Sequence, residues 1–430
     1  MENVNVVLIV AGVGERFWPL GDKHFTSFLG KPLLSYSLEK LINIGFSTFT
    51  LVVNNGNHAE VEELKKQYSK SKITIAIQTE GKGMGAAMIA AKDHVNGPTL
   101  IMAPHDIVDD TLMAELASAI KENTEAFVVA KKMKSYFPGG YLSLKDDLVT
   151  DIVEKPGEGK EPSDLVALVM YYFKDGKQLI DTVQRTTSDS DDQFEKAVAT
   201  LIHEGLKMKP IIYEGFWGYL KYPWHVLDIM DHYLATIPTA TVHTSSIHPS
   251  AILTGPIEIE EDVTIHAGAV ITGPVYIGKG TIIGNNALVR HAHIGKNCVI
   301  GFGSEVARSY VGDESWFHTN YVGDSVIGEN VSMGAGGVLA NLRLDEGDIP
   351  SAVKHERTAS GRTKLGTITG NNVRIGVNSS IMPGVKIGSN SVVGPAMVVY
   401  EDVPDNMAYT MKDGKPQLVE NKIDIEKLKR

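Results

Sequence analysis

The sequence has a single cysteine, Cys298, among its 430 residues. One cysteine excludes an intrachain disulfide and any metal site built from several thiolates, and it suits a reducing compartment. No run of about 18 apolar residues occurs, so we expect no membrane-spanning helix. The first residues have no basic leader, and a secretory signal is not expected. Together these features predict a cytoplasmic protein.

The chain also has fewer basic than acidic residues. The 41 lysines and arginines face 52 aspartates and glutamates, which gives a formal net charge of −11. A nucleic-acid backbone is therefore not expected as a main partner, although a local basic cleft could hold phosphates. Hydrophobic residues make up 43% of the chain, as in ordinary globular proteins. The 42 glycines indicate many tight turns, and the length suggests two or three domains.

The first 235 residues or so alternate between short apolar runs and segments with helical periodicity. Residues 6–12 and 99–104 are examples of the runs, and a helical segment begins at Pro32. This alternation predicts an α/β fold with a mostly parallel sheet covered by helices on both faces. Ligands in such folds bind beyond the carboxyl ends of the strands, where Gly12 and Asp106 fall.

Beyond Thr239 the sequence repeats a pair formed by an aliphatic residue and a glycine, as in Ile283-Gly284 and Ile300-Gly301. Many of the gaps are six residues or close to twice that. An inward aliphatic residue at every sixth position predicts a parallel β-helix with three short strands per coil. The alternative is a β-sandwich in which the glycine turns recur by chance.

We place three domains on these patterns. They are an α/β domain over 1–238, a β-helix over 239–405 and a C-terminal tail over 406–430. A polar, basic interruption of the repeat, at about 339–366, is a place where function concentrates.

Two glycines and two cations follow the first predicted strand. Gly12 and Gly14 would let a nucleotide approach the backbone, and Arg16 and Lys23 offer charge to phosphate oxygens. The pattern is neither a dinucleotide fingerprint, which needs a third glycine, nor a Walker A loop. A plain strand–turn–helix connection with solvated surface charges is the alternative.

Further polar and glycine positions follow in order along the chain. They are Gln78 with Gly83, Asp106 after the strand TLIMAP, Gly140 in PGGY and Glu154 in VEKP. Two of them have a purely structural alternative. Asp106 could cap a helix, and Glu154 could pair with Lys155 at the surface.

This ordered set resembles the sugar-1-phosphate nucleotidylyltransferases, a family built on a Rossmann-like domain. With the repeats, nearly the whole chain, up to about residue 405, resembles the bifunctional N-acetylglucosamine-1-phosphate uridylyltransferase/glucosamine-1-phosphate acetyltransferase group. The resemblance implies an α/β fold class, with a Rossmann-like nucleotidyltransferase domain followed by a left-handed parallel β-helix of hexapeptide repeats.

The resemblance also implies a reaction and a role for each motif residue. An NTP and a sugar 1-phosphate would give a nucleoside-diphosphate sugar and pyrophosphate with the help of Mg²⁺, and Gln78 suits UTP or dTTP. Gly12, Gly14, Gln78 and Gly83 would line the nucleotide, Arg16 and Lys23 would hold the phosphates, Asp106 would bind magnesium, and Gly140 and Glu154 would contact the sugar.

Several positions depart from the family pattern. Tyr219 stands where a second metal-binding carboxylate is usual, in a W-x-D segment. Ala167 and Val169 replace an asparagine and a glycine expected in the sugar-binding strand. His105 stands before Asp106 where glycine is usual, and Met84 replaces a threonine.

The second half resembles the acetyltransferase core of the bifunctional enzymes through the segment that begins at Phe317. The resemblance implies that His318 is a general base for an attacking amine, with acetyl-CoA as the donor, and histidine has a suitable pKa. Ala307 replaces an expected lysine, and Ser332 replaces an expected asparagine. The implied substrate contacts are Arg290, Tyr321 and Asn341.

Three functions therefore stay open on the sequence. The favoured one is a sugar-1-phosphate nucleotidyltransferase, with the flat faces of the β-helix packed into a homotrimer. The second is a bifunctional enzyme that also acetylates an amino-sugar phosphate. The third is a non-catalytic regulatory subunit that binds a sugar nucleotide, which Tyr219 and Ala167 favour and the retained charged residues oppose.

Overall fold

The computed structural model describes residue 1 and residues 3–239, 241–354 and 356–428. Its internal contacts divide the chain into two compact units. The N-terminal unit comprises Met1–Val13 and Leu33–Tyr219, and the C-terminal unit comprises Gly14–Pro32 and Leu220–Arg430. The segment 14–32 therefore groups with the second half of the chain. The predicted domain limits at 238 and 405 stay a prediction.

A mixed nine-stranded sheet forms the centre of the N-terminal unit. Its strand order is β8-β7-β9-β4-β1-β2-β3, and β6 joins β9 to β10. The strands β1 to β4 pair in parallel, as predicted, whereas β9 runs antiparallel to β4. The strands are β1 (Asn5–Ile9), β2 (Thr48–Val53), β3 (Lys72–Ile77), β4 (Thr99–Met102), β5 (Asp106–Val108), β6 (Ala126–Lys132), β7 (Gly140–Lys145), β8 (Leu148–Glu154), β9 (Leu165–Phe173), β10 (Met208–Ile212) and β11 (Trp217–Tyr219), of which β5 and β11 form a separate pair.

Amphipathic helices connect the strands and bury their apolar stripes on the sheet. The α5 residues Leu179 and Val183 are fully buried in one core with Phe194 and Val198 of α6. Side-chain caps fix some helix starts, since Asp109 accepts a hydrogen bond from the backbone N–H of Leu112 at 3.3 Å. The helices are α1 (Leu33–Asn43), α2 (His58–Lys66), α3 (Gly83–Ala90), α4 (Asp110–Lys121), α5 (Gly176–Arg185), α6 (Gln193–His203) and, in the C-terminal unit, α7 (His225–Leu234); short 3-10 helices span Glu15–Phe17, Lys23–Phe25, Lys92–His94 and Glu426–Leu428.

A parallel β-helix occupies most of the C-terminal unit, as the repeats predict. Ile283 and Ile300 stack in register on successive coils and are fully buried. Each following glycine is needed because the coils lie so close. A Cβ atom on Gly284 would lie 2.8 Å from the carbonyl carbon of Gly301 in the next coil. The aliphatic–glycine pair thus supplies one core side chain and one close backbone contact per strand.

The short strands of the β-helix form two parallel ladders. One contains Ser246–Ile247, Thr264–Ile265, Ile282–Ile283, Val299–Ile300, Trp316–Phe317, Ser332–Met333, Arg374–Ile375, Val392–Val393 and the terminal hairpin Met407–Lys412 and Lys415–Glu420. The other contains Thr241–Val242, Ile252–Thr254, Ile257–Ile259, Val270–Ile277, Leu288–Ile294, Glu305–Ala307, Tyr310–Val311, Tyr321–Gly323, Val326–Ile327, Val338–Leu339, Ile368–Thr369, Ser380–Ile381, Lys386–Ile387 and Val398–Val399.

Two small hairpins stand outside these ladders. One, Pro350–Val353 with Glu356–Ala359, forms in the interruption of the repeat. The other, Ser27–Phe28 with Lys31–Pro32, lies in the segment that groups with the C-terminal unit.

In the part of the chain that the structure describes, every helix is too short or too polar to cross a bilayer.

Candidate active site

Asp106 and Tyr219 face each other across the strand pair formed by β5 and β11. The antiparallel register places Tyr219 directly opposite Asp106. Asp106 is only 7% exposed, and its Oδ1 accepts a hydrogen bond from Trp217 Nε1 at 3.2 Å. The position at which the family pattern predicts a second carboxylate therefore lies beside Asp106, and a tyrosine fills it.

The Tyr219 ring belongs to an aromatic group rather than to a charged one. Its centroid lies 4.8 Å from the Trp217 ring and 5.4 Å from the Phe137 ring. Among the residues that the structure describes, no group of three or more His, Cys, Asp or Glu side chains could hold a metal.

Gly140, Glu154 and Ala167 meet at one end of β7, β8 and β9. Gly140 pairs with Glu154, and a Cβ atom on Gly140 would lie 3.4 Å from Glu154 Oε2 and 3.9 Å from Ala167 Cβ. Glu154 also pairs with Lys155, at 2.6 Å, and its side chain is only 12% exposed. Glu154 therefore does pair with Lys155, the alternative to sugar binding. The pair is largely sheltered from solvent, however, and lies beside Gly140 and Ala167, the other two positions that the family pattern assigns to the sugar.

Glu195, on α6, is a carboxylate that the sequence analysis did not single out. Burial, and then the nearby charge of Glu154, raise the pKa of Glu195 to about 8. Burial also raises the pKa of Tyr171 on β9, and the charges of Glu195, Glu154 and Asp106 raise it further. These carboxylates are therefore close enough to act on one side chain. The only signal in the sequence is the acidic stretch before α6.

The predicted base-binding residues lie together at the start of α3. Gln78 Nε2 donates a hydrogen bond to the carbonyl of Gly81 at 3.2 Å. Gly83 has a φ of +77°, and a Cβ atom there would lie 1.7 Å from Asp191 Oδ1. A side chain at position 83 would be strained in this backbone conformation, and Asp191 would have to move aside. Asp191 is a second residue that the sequence analysis missed.

Gly12 lies just after β1 and is exposed. A Cβ atom on it would meet no atom of the described chain within 4 Å, so the space beside it is open. Side-chain amides hold the preceding residues, since Asn57 donates to the Val10 carbonyl at 2.9 Å and Asn54 donates to the Ala11 carbonyl at 3.0 Å. Gly12 therefore stands on a fixed turn with room for a ligand.

The other signature residues lie on the segment that groups with the C-terminal unit. Gly14 has a φ of +65° and precedes the 3-10 helix that contains the exposed Arg16. Lys23 begins the next 3-10 helix, which Asp22 caps by accepting a hydrogen bond from the His24 N–H at 2.9 Å.

The predicted acetyltransferase residues Tyr321 and Asn341 lie beside an ion pair. Arg308 binds Asp324 through two hydrogen bonds of 2.8 and 2.7 Å, and Asn341 Nδ2 donates to the same carboxylate. A Cβ atom on Gly323 would lie 2.6 Å from Tyr321 Oη and 2.7 Å from Asn341 Nδ2. Tyr321 and Asn341 are therefore brought together.

His318 and Arg290 are placed differently. Arg290 Nη2 lies 2.7 Å from Glu305 Oε1, so a carboxylate already balances its charge. Ala307 stacks directly on Arg290 in the β-helix ladder, so the missing lysine would have stood beside it. His318 is exposed, and its backbone N–H donates to Asn320 Oδ1 at 2.7 Å.

Asp228 and Asp231, which follow the W-x-D position, have partners within the C-terminal unit. Asp228 Oδ1 lies 2.5 Å from Arg362 Nη2, and Asp231 Oδ1 lies 2.9 Å from His291 Nε2.

Comparison with known proteins shows the family of the chain. The family model described as nucleotidyl transferase matches residues 5–219, half of the chain. The chain belongs to this family. The rest of this nucleotidyltransferase matches the GMPPB C-terminal domain at 253–344 and the bacterial transferase hexapeptide family (six repeats) at 366–396. The predicted family resemblance and fold class are confirmed, whereas the match to the GMPPB C-terminal domain was not predicted.

Two relatives match the nucleotidyltransferase over almost its whole length. A bifunctional sugar-1-phosphate nucleotidylyltransferase/acetyltransferase from Sulfurisphaera tokodaii is 34% identical over 92% of this chain and 97% of its own. The bifunctional protein GlmU from Methanocaldococcus jannaschii is 32% identical over 95% of this chain and 98% of its own. Among solved structures, apo-UDP-glucose pyrophosphorylase has a TM-score of 0.48 at 17% identity and covers 55% of this chain and 99% of that one.

Proposed function

We propose that this nucleotidyltransferase joins a nucleotide from an NTP to a sugar 1-phosphate and releases pyrophosphate, with UTP or dTTP as the favoured donor. One observation carries the proposal. Asp106, which the family motif assigns to the metal, is buried and lies directly opposite Tyr219, at the position of the usual second carboxylate. The relative from Sulfurisphaera tokodaii, a bifunctional sugar-1-phosphate nucleotidylyltransferase/acetyltransferase that matches nearly the whole chain, supports the same reaction.

Nucleotidyl transfer requires the protein to position the substrates and to supply charge, and it requires little covalent catalysis. An oxygen of the sugar phosphate forms a bond to the α-phosphorus, and the bond from that phosphorus to the pyrophosphate oxygen breaks. Arg16 and Lys23 would place positive charge on the phosphate oxygens and stabilise the charge that develops there. Glu154 would accept a hydrogen bond from a sugar hydroxyl.

Magnesium fits a site centred on Asp106. Mg²⁺ is commonly held by one or two carboxylates and completes its shell with water and substrate phosphates, so one protein carboxylate can suffice. The hydrogen bond from Trp217 Nε1 fixes the orientation of Asp106. When bound, the ion would neutralise charge on the phosphates. Asp106 would be its protein ligand.

Ala167 bears on the choice of sugar. Its methyl group stands near Gly140, where an asparagine would offer a hydrogen bond worth about 0.5–1.5 kcal/mol. We propose a sugar 1-phosphate whose recognition relies on Glu154 and on the backbone at Gly140 instead.

The deciding experiment measures pyrophosphate release with Mg²⁺ across four NTPs and several sugar 1-phosphates. We expect Asp106→Asn to lower kcat by about 100-fold or more, since it removes a charge that acts on the transition state. Asp110→Asn, at the exposed start of α4, is the matched control and should behave as the parent. If no pair turns over while a nucleotide sugar still binds, the regulatory-subunit alternative replaces the enzyme.

Acetyl transfer is a second candidate, favoured by the name of the relative from Sulfurisphaera tokodaii and by the exposed His318. His318 would take the proton of an amine that attacks the thioester carbon, and the CoA thiol would leave. CoA release from acetyl-CoA and an amino-sugar phosphate tests this. We expect His318→Ala to abolish it and to leave pyrophosphate release unchanged. If the protein does not bind acetyl-CoA, acetyl transfer is excluded. Ala307 and Ser332 favour that outcome, because they replace the lysine and the asparagine of the family pattern.

We also propose that the protein is cytoplasmic and forms a homotrimer through the β-helix. The reduced, buried Cys298 fits a reducing compartment. The flat sides of a three-sided β-helix fit closed threefold packing.

A further inference from the structure

The segment 14–32, which carries Arg16 and Lys23, is attached to the β-helix near both of its ends. We call this segment the signature loop. We propose that Asp405, Lys386 and Tyr310 of the β-helix are positioning residues for nucleotidyl transfer, because they hold this loop in place. The inference rests on the proposed function, since it assumes that the two loop cations act on phosphates.

The first attachment is at Trp18, two residues after Arg16. The indole N–H of Trp18 donates to both carboxylate oxygens of Asp405, at 3.1 and 3.0 Å. The Lys386 ammonium lies 4.6 Å from the Trp18 ring centre, and this side chain is only 3% exposed. A cation held against an indole away from water is attracted to the ring more strongly than at the surface. Trp18 is therefore bound at its edge and at its face.

The neighbours of Trp18 also contact the C-terminal unit. The Pro19 carbonyl oxygen would lie 2.7 Å from a Cβ atom on Gly370, so a bare coil backbone is required there. Glu15 forms an ion pair with Lys354, which comes from the interruption of the repeat. That pair is about half exposed and stabilises the loop only weakly.

The second attachment is at Ser27 and Phe28. The Tyr310 hydroxyl donates to the Ser27 carbonyl at 2.9 Å. Phe28 is fully buried, and its ring centre lies 5.2 Å from that of Tyr233 on α7 and 5.7 Å from that of Tyr310. Behind Phe28, the rings of His293 and Tyr310 stack at 4.7 Å along successive coils. The loop thus ends on a column of rings that the β-helix supplies.

Lys23 lies between these two attachments in the chain, and Arg16 lies two residues before the first of them. Both are long side chains, and holding their backbone reduces the number of positions that each charge can take. Charges that are already in place stabilise a transition state without reorganising at the moment of reaction. The β-helix would then serve the chemistry at the signature loop as well as the assembly of subunits.

The test removes one contact at each attachment in the full-length protein. Asp405→Ala removes the acceptor for Trp18, and Tyr310→Phe removes the donor to Ser27. Glu401→Ala and Tyr400→Phe make the same chemical changes at exposed positions of the β-helix and serve as controls. For each variant we would measure backbone hydrogen exchange in the loop, kcat and KM for pyrophosphate release, and the thermal midpoint.

We expect faster exchange in the loop with unchanged exchange in the β-helix coils. We also expect kcat/KM to fall about 10- to 100-fold, mostly through kcat, while the thermal midpoint stays close to that of the parent. Asp405 also accepts a hydrogen bond from the Ser389 N–H at 2.6 Å, so Trp18→Phe provides a second test that leaves that bond intact. Lys386→Arg should keep most of the activity that Lys386→Met loses.

Unchanged exchange in the loop would overturn the attachment, and faster exchange with parental kinetics would overturn the positioning role. A parent protein that neither turns over nor binds a nucleotide would refute the proposed function instead, and the positioning role with it. Controls that lose as much activity as the test variants would also count against the proposal.

Discussion

Among single residues, Tyr219 is the most informative departure from the family pattern, because a tyrosine stands where a carboxylate is usual. The register places this side chain directly opposite Asp106. We expect Tyr219→Asp to lower the Mg²⁺ concentration at half-maximal rate on the order of tenfold, because affinity for the ion rises with the charge of its ligands. A Mg²⁺ titration of pyrophosphate release measures the effect.

Tyr219→Phe is the control for that titration, since it keeps the ring between Phe137 and Trp217 and adds no charge. A thermal midpoint for each variant separates a change in metal affinity from a loss of packing. If the Asp and Phe variants have the same Mg²⁺ dependence, position 219 is not a metal position in this protein.

Glu195 gives a second prediction at this scale. Its pKa is about 8 in the folded chain against an ordinary value of 4.5, owing to burial and then to Glu154. The folded chain therefore holds the extra proton between these values, and the free energy of unfolding falls as the pH rises from about 4.5 to 8. A difference of one in pKa corresponds to about 1.4 kcal/mol.

We expect Glu195→Gln to flatten that pH dependence and to make the protein more stable than the parent at pH 8 by on the order of 1–2 kcal/mol. Denaturant unfolding at pH 5, 6.5 and 8 measures it. Glu158→Gln, at an exposed turn, should leave the slope unchanged. A parental slope in the Glu195 variant would show that Glu195 is ionised throughout.

The sequence predicted part of this site and could not predict the rest. Asp106 follows a strand whose end the apolar pattern locates, and Gly140 and Glu154 stand in the short motifs PGGY and VEKP, so residue types and order were enough. Glu195 lies on α6 and Asp191 just before it, both distant in the chain from the positions they approach, and no local pattern links them to those positions. Contacts of that kind appear only when the packing is known.

At the scale of elements, the β-helix contains a buried column of rings. His293 lies between Tyr276 and Tyr310, with ring centres 4.8 and 4.7 Å away. Neither of its ring nitrogens has a hydrogen-bond partner in the described chain. Burial lowers the pKa of His293 to about 3 from an ordinary 6.5.

The unfolded chain therefore binds a proton at His293 near pH 6.5, whereas the folded chain does so only near pH 3. The free energy of unfolding falls as the pH drops between these values. We expect His293→Phe to reduce this loss of unfolding free energy at low pH and to raise the thermal midpoint at pH 5 relative to the parent. His248→Phe, at an exposed position, is the control. If the parent and the His293 variant lose the same unfolding free energy as the pH drops, the assignment is contradicted.

The repeat predicted the coils but not what packs on them. A spacing of six residues indicates which side chains point into the β-helix, and Ile283 and Ile300 are buried as expected. The rings of the outward column, Tyr276, His293 and Tyr310, recur once per coil, but that spacing does not show which segment packs on them. Its contact with Phe28 joins positions more than 200 residues apart, so the grouping of the signature loop with the C-terminal unit could not be foreseen.

At the scale of the whole molecule, apolar side chains remain exposed along one ladder of the β-helix. Val338 and Val398 are 38% and 46% exposed and stand in the same row, with Ser380 between them. We predict that this row belongs to the face that another subunit covers. A homotrimer would cover it once on each chain.

Light scattering at micromolar concentration should therefore give about 140 kDa, three times the 46.7 kDa of one chain. We expect the double variant Val338→Glu with Val398→Glu to lower that mass, because it places two charges where water would be excluded. Leu344→Glu, on the exposed interruption of the repeat, should leave the mass unchanged. A parent that scatters as a monomer would refute the trimer, and a double variant that keeps the trimer would move the interface to another face of the β-helix.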